Sequence, residues 1–216
     1  MAENAGAATG GGKKMLIHPV VVRISHWINV LAMFIMIASG WRIYNADPLF
    51  AFKFPRELTL GGWLGGALQW HFAAMWLFVI NGLVYVAYGF MSGHFKSSFL
   101  PLTPQSVLND FKNALRGKIP HDVGVYNAVQ RAAYIGVILV MLVLILSGLA
   151  IWKPVQFHEL ALLMGDYEGA RVVHFVAMAL VCLFIAIHVV MVALVPRTIL
   201  PMITGYAKKS SSETGA

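Results

Sequence analysis

Four long stretches of the chain contain no Asp, Glu, Lys or Arg and consist mostly of apolar residues. They cover residues 24–41, 58–95, 132–152 and 172–196. A helix needs about 20 predominantly apolar residues to cross the hydrocarbon core of a bilayer, so each stretch can hold one spanning helix. The second stretch is longer than the others, but its first part, LTLGGWLGG at 58–66, is interrupted by glycines and is typical of a loop.

This pattern predicts an all-α fold, an integral membrane four-helix bundle with short interfacial helices. The spanning helices are expected at about 19–42, 67–91, 126–152 and 170–195. Composition agrees, because 59% of the residues are hydrophobic and only 12% are charged, whereas soluble domains carry about 25% charged residues.

Both ends of the chain are rich in small and polar residues. Residues 1–15 are predicted to form a disordered arm and residues 207–216 a disordered tail, on either side of one four-helix domain at 16–206. The first fourteen residues lack the apolar core of a cleavable signal peptide.

Two connecting segments favour short helices lying on the membrane surface. In TPQSVLNDFKNALRG, Thr103 can serve as an N-cap, Pro104 fits the first helical position, and Gly117 follows as a stop signal. The segment PVQFHELALLMG, residues 154–165, has a similar composition on the opposite side of the membrane.

The basic residues predict how the chain is oriented. Eleven lysines and arginines lie in the two ends and the loop after the second span, against five in the other two loops. Because such residues favour cytoplasmic flanks, both termini are expected in the cytoplasm and the loops at 43–66 and 153–170 on the outer side. Orientation and anionic lipid explain the net charge of +7, so no nucleic-acid partner is expected.

Histidines inside the apolar stretches are the candidate functional residues. Imidazole is costly in hydrocarbon and is rarely placed there without a partner. Four histidines lie in the predicted spans: His26, His71, His174 and His188. The other four are expected to be ordinary surface or interface residues: His18, His94, His121 and His158.

The fourth span carries two of these histidines, His174 and His188, on one helical face. Fourteen residues separate them, which corresponds to about 21 Å along a helix axis. Because metal–nitrogen bonds are only about 2.0 Å long, the two cannot bind one metal ion. With alternating helix directions, His26 matches His188 in depth near the inner surface, and His71 matches His174 near the outer surface.

Two b-type haems, one at each depth, would use all four intramembrane histidines as bis-histidine iron ligands. Iron porphyrins take axial ligands from opposite faces, histidine is a common axial ligand, and cofactors are often held in bundle cores. The single cysteine, Cys182, excludes a four-cysteine iron–sulfur cluster and a CxxCH haem attachment within the chain.

Several other residues could support such cofactors. Arginines can neutralise haem propionates, and Arg23 and Arg131 are placed for the inner pair, Arg42 and Arg171 for the outer pair; each could instead be a snorkelling residue at the membrane edge. The third span lacks histidine, carries Gly136, Ser147 and Gly148, and is expected to form a packing wall. In the other spans, the glycines that permit close approach of a macrocycle, or of another helix, are Gly40, Gly82 and Gly89.

Other classes of membrane protein fit the pattern less well. A proton-coupled transporter would normally need a buried carboxylate, and the four apolar stretches contain none. A zinc or copper site needs histidines that converge, which the two depths forbid for all four. A membrane anchor without a cofactor remains as an alternative.

The stretch RISHWINVLAMFIMIASGWRIY at 23–44, together with the two spaced histidines of the last span, resembles the bacterial dihaem cytochrome b family, the cytochrome b561-like group. The blocks LTLGGWLGGALQWHFAAMWLFVINGLVYVAYG and GVYNAVQRAAYIG are similar to one branch. Its members are thiosulfate-reductase-like cytochrome b subunits that accompany periplasmic molybdopterin oxidoreductases.

This resemblance implies a multi-pass protein of the bacterial inner membrane, with the four intramembrane histidines as axial ligands. It implies electron transfer between the quinone pool and a periplasmic redox partner, a molybdopterin oxidoreductase, with a quinone site at one of the two haems. The sequence leaves open which haem this is, and analogy with formate dehydrogenase favours the inner one, near His26 and His188. Catalysis would belong to the partner, so no catalytic residue is expected here. The same fold could instead host a stand-alone haem-based superoxide oxidase coupled to quinone.

Overall fold

Four helices long and apolar enough to cross a membrane are present in the part of the chain that the computed structural model describes, residues 14–93, 95, 103–115 and 128–208. The helices in chain order are α1 (Val20–Ala46), α2 (Leu64–Met91), α3 (Pro104–Leu115), α4 (Ala128–Trp152), α5 (His158–Leu163), α6 (Asp166–Leu194) and α7 (Ile199–Thr204). Single 3-10 turns occupy Arg56–Leu58 and Pro196–Thr198. The predicted all-α bundle with four spans, α1, α2, α4 and α6, is confirmed.

The loop between the first two spans is shorter than predicted, because α1 continues to Ala46 and α2 already begins at Leu64. Pro48 follows the end of α1, and a proline disfavours helical geometry in the preceding residue. Two glycines of the predicted loop instead lie in the first turn of α2. At Gly66 a Cβ atom would stand 2.3 Å from the carbonyl oxygen of Gly61, so only glycine allows the loop to fold back there.

The last span also begins earlier than predicted, at Asp166. Gly165 before it has a φ of 86°, in the left-handed region that glycine adopts without strain. This geometry lets the chain turn directly from α5 into α6. Asp166 and Glu168 then lie in the first turn of α6, where acidic side chains interact favourably with the helix dipole.

Both predicted surface helices are present. Thr103 precedes α3, where its Oγ1 accepts a hydrogen bond from the backbone N–H of Ser106 at 3.2 Å, as expected of an N-cap. Asp110 of α3 in turn accepts a hydrogen bond from the backbone N–H of Ala128 at 2.7 Å, which joins α3 to the start of α4. The stop signal at Gly117 lies outside the described residues, and α5 covers part of the second segment.

Small residues bring the spanning helices together in two close pairs, α1 with α2 and α4 with α6. Small side chains allow helix backbones to approach closely in a membrane, where helix association depends on packing and hydrogen bonds. The most completely buried of them are Ala32 and Ser39 in α1, Ala67 and Ala74 in α2, Ser147 and Ala150 in α4, and Ala170 and Ala177 in α6.

The two ends of the described chain meet in a short antiparallel ladder between β1 (Lys14–Leu16) and β2 (Tyr206–Lys208). The backbone N–H groups of Ile17 and His18 extend this contact by donating to the carbonyl of Gly205. The N- and C-terminal segments therefore lie on the same side of the bundle. Most of the two arms that were predicted to be disordered lies outside the described residues.

Candidate functional site

The histidines of the spanning helices face one another in two pairs. The ring centroids of His26 in α1 and His188 in α6 are 6.2 Å apart, with an angle of 64° between the ring planes. The centroids of His71 in α2 and His174 in α6 are 6.4 Å apart at 63°. The structure thus brings together the two pairs that were matched by depth, and each pair joins one helix of the α1/α2 pair to α6.

An apolar layer separates the two histidine levels. Its buried members are Met33 and Ala32 from α1, Phe78 from α2 and Val181 from α6. Val181 lies midway between His174 and His188 in sequence, so the layer lies midway between the two pairs along α6. Partly buried residues of α4, including Met141 and Leu144, pack against it. The inner and outer pairs are therefore two separate sites within one core.

The outer pair is supported by a serine on each neighbouring helix. Ser39 Oγ in α1 lies 3.1 Å from His71 Nδ1, and Ser147 Oγ in α4 lies 3.0 Å from His174 Nδ1. The carbonyl oxygen of Met36 also lies 3.2 Å from His71 Nδ1. Both serines are fully buried. In each ring Nδ1 is engaged by the protein, so Nε2 is the nitrogen left for a further ligand.

Glycines adjoin the same two rings. A Cβ atom added at Gly40 would stand 3.5 Å from Cε1 of His71, and one added at Gly148 would stand 3.4 Å from Cε1 of His174. Either separation is an ordinary contact for one methyl group but leaves no room for a longer side chain. Two Ser–Gly dipeptides, one in α1 and one in α4, therefore surround the outer imidazoles.

The inner pair has different surroundings. The ring of Trp27 meets His26 edge-on at 5.2 Å, and the ring of Phe184 is stacked parallel to His188 at 6.0 Å. Nearby, the buried amide of Asn81 in α2 donates hydrogen bonds to the carbonyl of Ser25 at 2.9 Å and to Oδ1 of Asn29 at 2.7 Å. This polar contact joins α1 to α2 beside the inner site.

The candidate arginines take up different positions at the membrane ends. Arg23 donates from Nη1 to the carbonyl of Ile203 and so holds the C-terminal segment against α1. Arg171 is engaged by two acids, Asp47 at 3.0 Å and Glu168 at 2.9 Å. Arg23 and Arg131 lie near the starts of α1 and α4, at the end of the bundle that holds His26 and His188. Arg42 lies near the end of α1 and Arg171 near the start of α6, toward His71 and His174.

Two buried side-chain nitrogens in the described part of the chain lack a hydrogen-bond partner, Arg23 Nε and Trp41 Nε1. An unsatisfied buried donor carries a substantial free-energy cost. Arg23 precedes His26 by about one turn of α1, and Trp41 follows Gly40, which faces His71. Each histidine level thus has a nearby donor that an anionic group could satisfy, as the carboxylates of a bound porphyrin would.

Sequence reasoning missed two features of the site. It treated Ser147 as part of a packing wall and overlooked Ser39, although the dipeptide Ser–Gly occurs at the corresponding place in both helices. It also overlooked Asn29 and Asn81, whose polar amides within apolar stretches were the available signal. None of the four histidines has its ring nitrogens in a cluster of three or more possible metal ligands among the described residues.

Comparison with known proteins places this geometry in context. The chain matches the family described as prokaryotic cytochrome b561 over residues 17–205. It is also similar to a protein of Azospira oryzae called the putative protein-methionine-sulfoxide reductase subunit YedZ1. The two sequences are 52% identical over 191 residues, covering 88% of this chain and 96% of that protein.

Proposed function

The chain belongs to the prokaryotic cytochrome b561 family, and from this premise we propose that it holds two b-type haems, one at each histidine pair, and links the quinone pool to a periplasmic redox partner. Family membership and the four spans make it a membrane haem-b electron-transfer subunit. We further propose the four histidines as the ligands, two haems per chain, quinone as the exchangeable substrate and a molybdopterin oxidoreductase as the partner.

The separation of the imidazoles in each pair carries the proposal. An imidazole centroid lies about 1.1 Å from its ring nitrogens and a metal–histidine bond is about 2.0 Å, so two imidazoles that held one metal ion between them would have centroids about 6.2 Å apart. The observed separations are 6.2 Å for His26 and His188 and 6.4 Å for His71 and His174. Both pairs therefore fit bis-histidine ligation of one iron each.

Bound haem iron supplies one-electron chemistry, because it accepts and returns a single electron. The chain's own residues supply ligation, orientation and exclusion of water. The apolar layer of Met33, Phe78 and Val181 lies between the two levels, which keeps the core free of polar groups there. Arg23 and Trp41 are the donors available to propionates at the inner and outer levels, with Arg131, Arg42 and Arg171 near the same membrane ends.

We assign the partner to the outer face. The similar protein from Azospira oryzae is by name a putative protein-methionine-sulfoxide reductase subunit, so we propose that the partner reduces a sulfoxide. We propose that this partner is a periplasmic oxidoreductase of the molybdopterin type, as the resemblance to the thiosulfate-reductase-like cytochrome b subunits implies. Reduction of a sulfoxide to a thioether and water consumes two electrons and two protons, which a quinol can supply. Exposed apolar residues in the outer loops could contact this partner: Phe50, Phe52, Val155 and Leu163.

Single alanine substitutions of the four histidines test the haem assignment. His26→Ala and His188→Ala should each remove the same haem, and His71→Ala and His174→Ala should each remove the other. Purified variants would be compared by haem extraction, reduced-minus-oxidised spectra and potentiometric titration. Wild type should contain two haems per chain and each variant about one, because the affected haem would keep only one of the two histidines proposed to hold it.

His158→Ala is a matched control, because His158 is exposed at the start of α5 and should leave both haems in place. Loss of different haems from His26→Ala and His188→Ala would contradict the pairing. A wild-type protein without extractable haem or an α band would contradict the proposal as a whole.

A further inference from the structure

Ser39 and Ser147 are the two fully buried side chains that contact the outer imidazoles, and they do so with matching geometry. Each hydroxyl lies close to the Nδ1 atom of one ring, at 3.1 Å for His71 and 3.0 Å for His174. Each also lies close to the backbone carbonyl one helical turn earlier, at 2.6 Å for Ile35 and 2.7 Å for Val143. The contact to the ring is therefore repeated on two helices.

The hydrogen bonds around each serine define where the protons lie. A hydroxyl group has one hydrogen to donate, and the short contact to the preceding turn, to Ile35 or Val143, uses it. The serine oxygen then meets Nδ1 with a lone pair, so the imidazole donates Nδ1–H. At His71 the Met36 carbonyl, 3.2 Å from Nδ1, is a second acceptor for the same proton. A neutral imidazole with its proton on Nδ1 carries its free lone pair on Nε2, the atom that a metal ion needs.

A serine in a membrane helix often bonds only to its own backbone, and that ordinary role would explain the contacts to Ile35 and Val143. It does not explain why both serines also contact a histidine from the neighbouring helix. It also does not explain why each is followed by a glycine facing the same ring, Gly40 for His71 and Gly148 for His174. The contact to the imidazole is thus a feature of its own.

The inner pair lacks this support. Within the described residues, no hydrogen bond to a ring nitrogen of His26 or His188 is present, and these rings are held by aromatic contacts to Trp27 and Phe184. A hydrogen bond from the distal nitrogen of a ligating histidine fixes the ring and makes it a more basic ligand. The two pairs should therefore differ in how strongly they stabilise oxidised iron.

We infer that Ser39 and Ser147 are positioning residues for the outer site, which hold the His71 and His174 rings with Nε2 directed toward the metal and raise their basicity. The inference rests on the proposed haem ligation by this pair. It predicts that both serines act on the same cofactor, one from each side, and that neither acts on the cofactor of the inner pair.

Ser39→Ala and Ser147→Ala test the inference in the purified full-length protein loaded with haem. Each should move the reduction potential of the outer haem upward, since a less basic ligand stabilises ferric iron less. The affinity for the outer haem should fall by about tenfold, the lower end of the usual effect of removing such a partner, because after Ser39→Ala the Met36 carbonyl can still accept from His71 Nδ1. The outer haem is identified as the one that His71→Ala and His174→Ala remove.

Two further variants separate positioning from packing. Ser39→Thr keeps a hydroxyl and should restore most of the wild-type potential and ferric spectrum. Ser25→Ala removes another buried serine of α1, one without a bond to a histidine ring in the described structure, and should leave the outer haem unchanged. If Ser39→Ala loses the outer haem completely, retention of the inner haem together with rescue by Ser39→Thr supports the inference.

An outer potential and ferric spectrum unchanged in both alanine variants would overturn the inference, as would a shift of the inner haem or failure of Ser39→Thr to restore the signal. These results leave the haem assignment intact if wild type holds two haems. Absence of haem from wild type would instead contradict the proposed function itself.

Discussion

Gly148 and Gly40 show how closely single atoms are placed around the outer histidines. The space beside each ring accepts a methyl group at ordinary contact distance, 3.4 Å from His174 and 3.5 Å from His71. Interiors packed to this density tolerate small changes and resist larger ones, because extra atoms force neighbouring side chains from their preferred rotamers. At the residue scale, the outer site therefore depends on the lack of a side chain at Gly40 and Gly148 as well as on the two imidazoles.

Substitution at Gly148 should show this limit. Gly148→Ala should retain both haems, whereas Gly148→Leu should displace the His174 ring and lower outer-haem content by about tenfold or more, as expected when the support of a metal ligand is lost. Haem content would be measured by extraction after purification. Ile138→Phe, on the same helix, is the control, since 44% of the Ile138 surface is exposed. Equal haem loss in Ile138→Phe and Gly148→Leu would contradict this interpretation.

The spanning helices form a direct repeat of two units, α1 with α2 and α4 with α6. In this repeat Ser39 corresponds to Ser147 and His71 to His174, while the deeply buried alanines of α2 and α6 also correspond: Ala67 to Ala170 and Ala74 to Ala177. The outer site is therefore built from equivalent positions. The inner site is not, because His26 corresponds to Tyr134 and His188 to Tyr85.

At the element scale, the asymmetric inner end also carries a groove between α1 and α7. Trp27, Leu31 and Met202 are among its mostly apolar lining residues, with Arg23 at its edge. Trp27 donates a hydrogen bond to the Met202 carbonyl at 3.3 Å and its ring touches His26. We therefore expect the quinone to bind here, beside the inner pair, with its apolar tail along the surface of α1.

Leu31→Trp should fill the groove and slow reduction of the haems by a soluble quinol analogue by about tenfold, equivalent to about 1.4 kcal/mol of lost binding. Haem content should stay at the wild-type level, because Leu31 faces away from the core with 57% of its surface exposed. Leu139→Trp in α4, equally exposed at 57%, is the matched control. A normal rate in Leu31→Trp would place quinone elsewhere.

At the scale of the whole molecule, the fold places the two histidine pairs at two depths and both ends of the described chain on one side. The ladder between Lys14–Leu16 and Tyr206–Lys208 joins the ends, while the aromatic outer loop packs on the other side, where Tyr44 and Phe50 contact Phe175. Because basic residues are concentrated toward the side of the termini, that side is expected in the cytoplasm.

Reporter fusions test this orientation. Alkaline phosphatase fused after the last residue should be inactive, because the enzyme needs the periplasm, whereas the same enzyme inserted after Val155 should be active. Val155 is 82% exposed in the loop between α4 and α5, so an insertion there should spare the spans. A fluorescent protein that folds only in the cytoplasm should fluoresce when fused at the C-terminus and should not fluoresce when inserted after Val155. Activity of the C-terminal phosphatase fusion would show the opposite orientation and would move the proposed partner to the other surface.

Sequence alone determined the number and approximate place of the spans, since about 20 apolar residues without charge admit few structures other than a spanning helix. It also determined which histidines can share a depth, because helix rise converts sequence separation into distance. His174 and His188 could be assigned to two levels in this way, and the cofactor class followed from four such residues.

Only the tertiary structure decided what surrounds the rings. The faces of α1 and α4 that meet α2 and α6 depend on how each helix is rotated about its axis. That rotation is set by the packing of small residues. The sequence does not identify it, because the faces of an apolar helix have similar residues. The contacts of Ser39 with His71 and of Ser147 with His174, and the 6.2 and 6.4 Å separations of the ring pairs, exist only after that packing. The depth of a histidine follows from its position along one helix, whereas the distance between two side chains depends on how the helices of the bundle pack together.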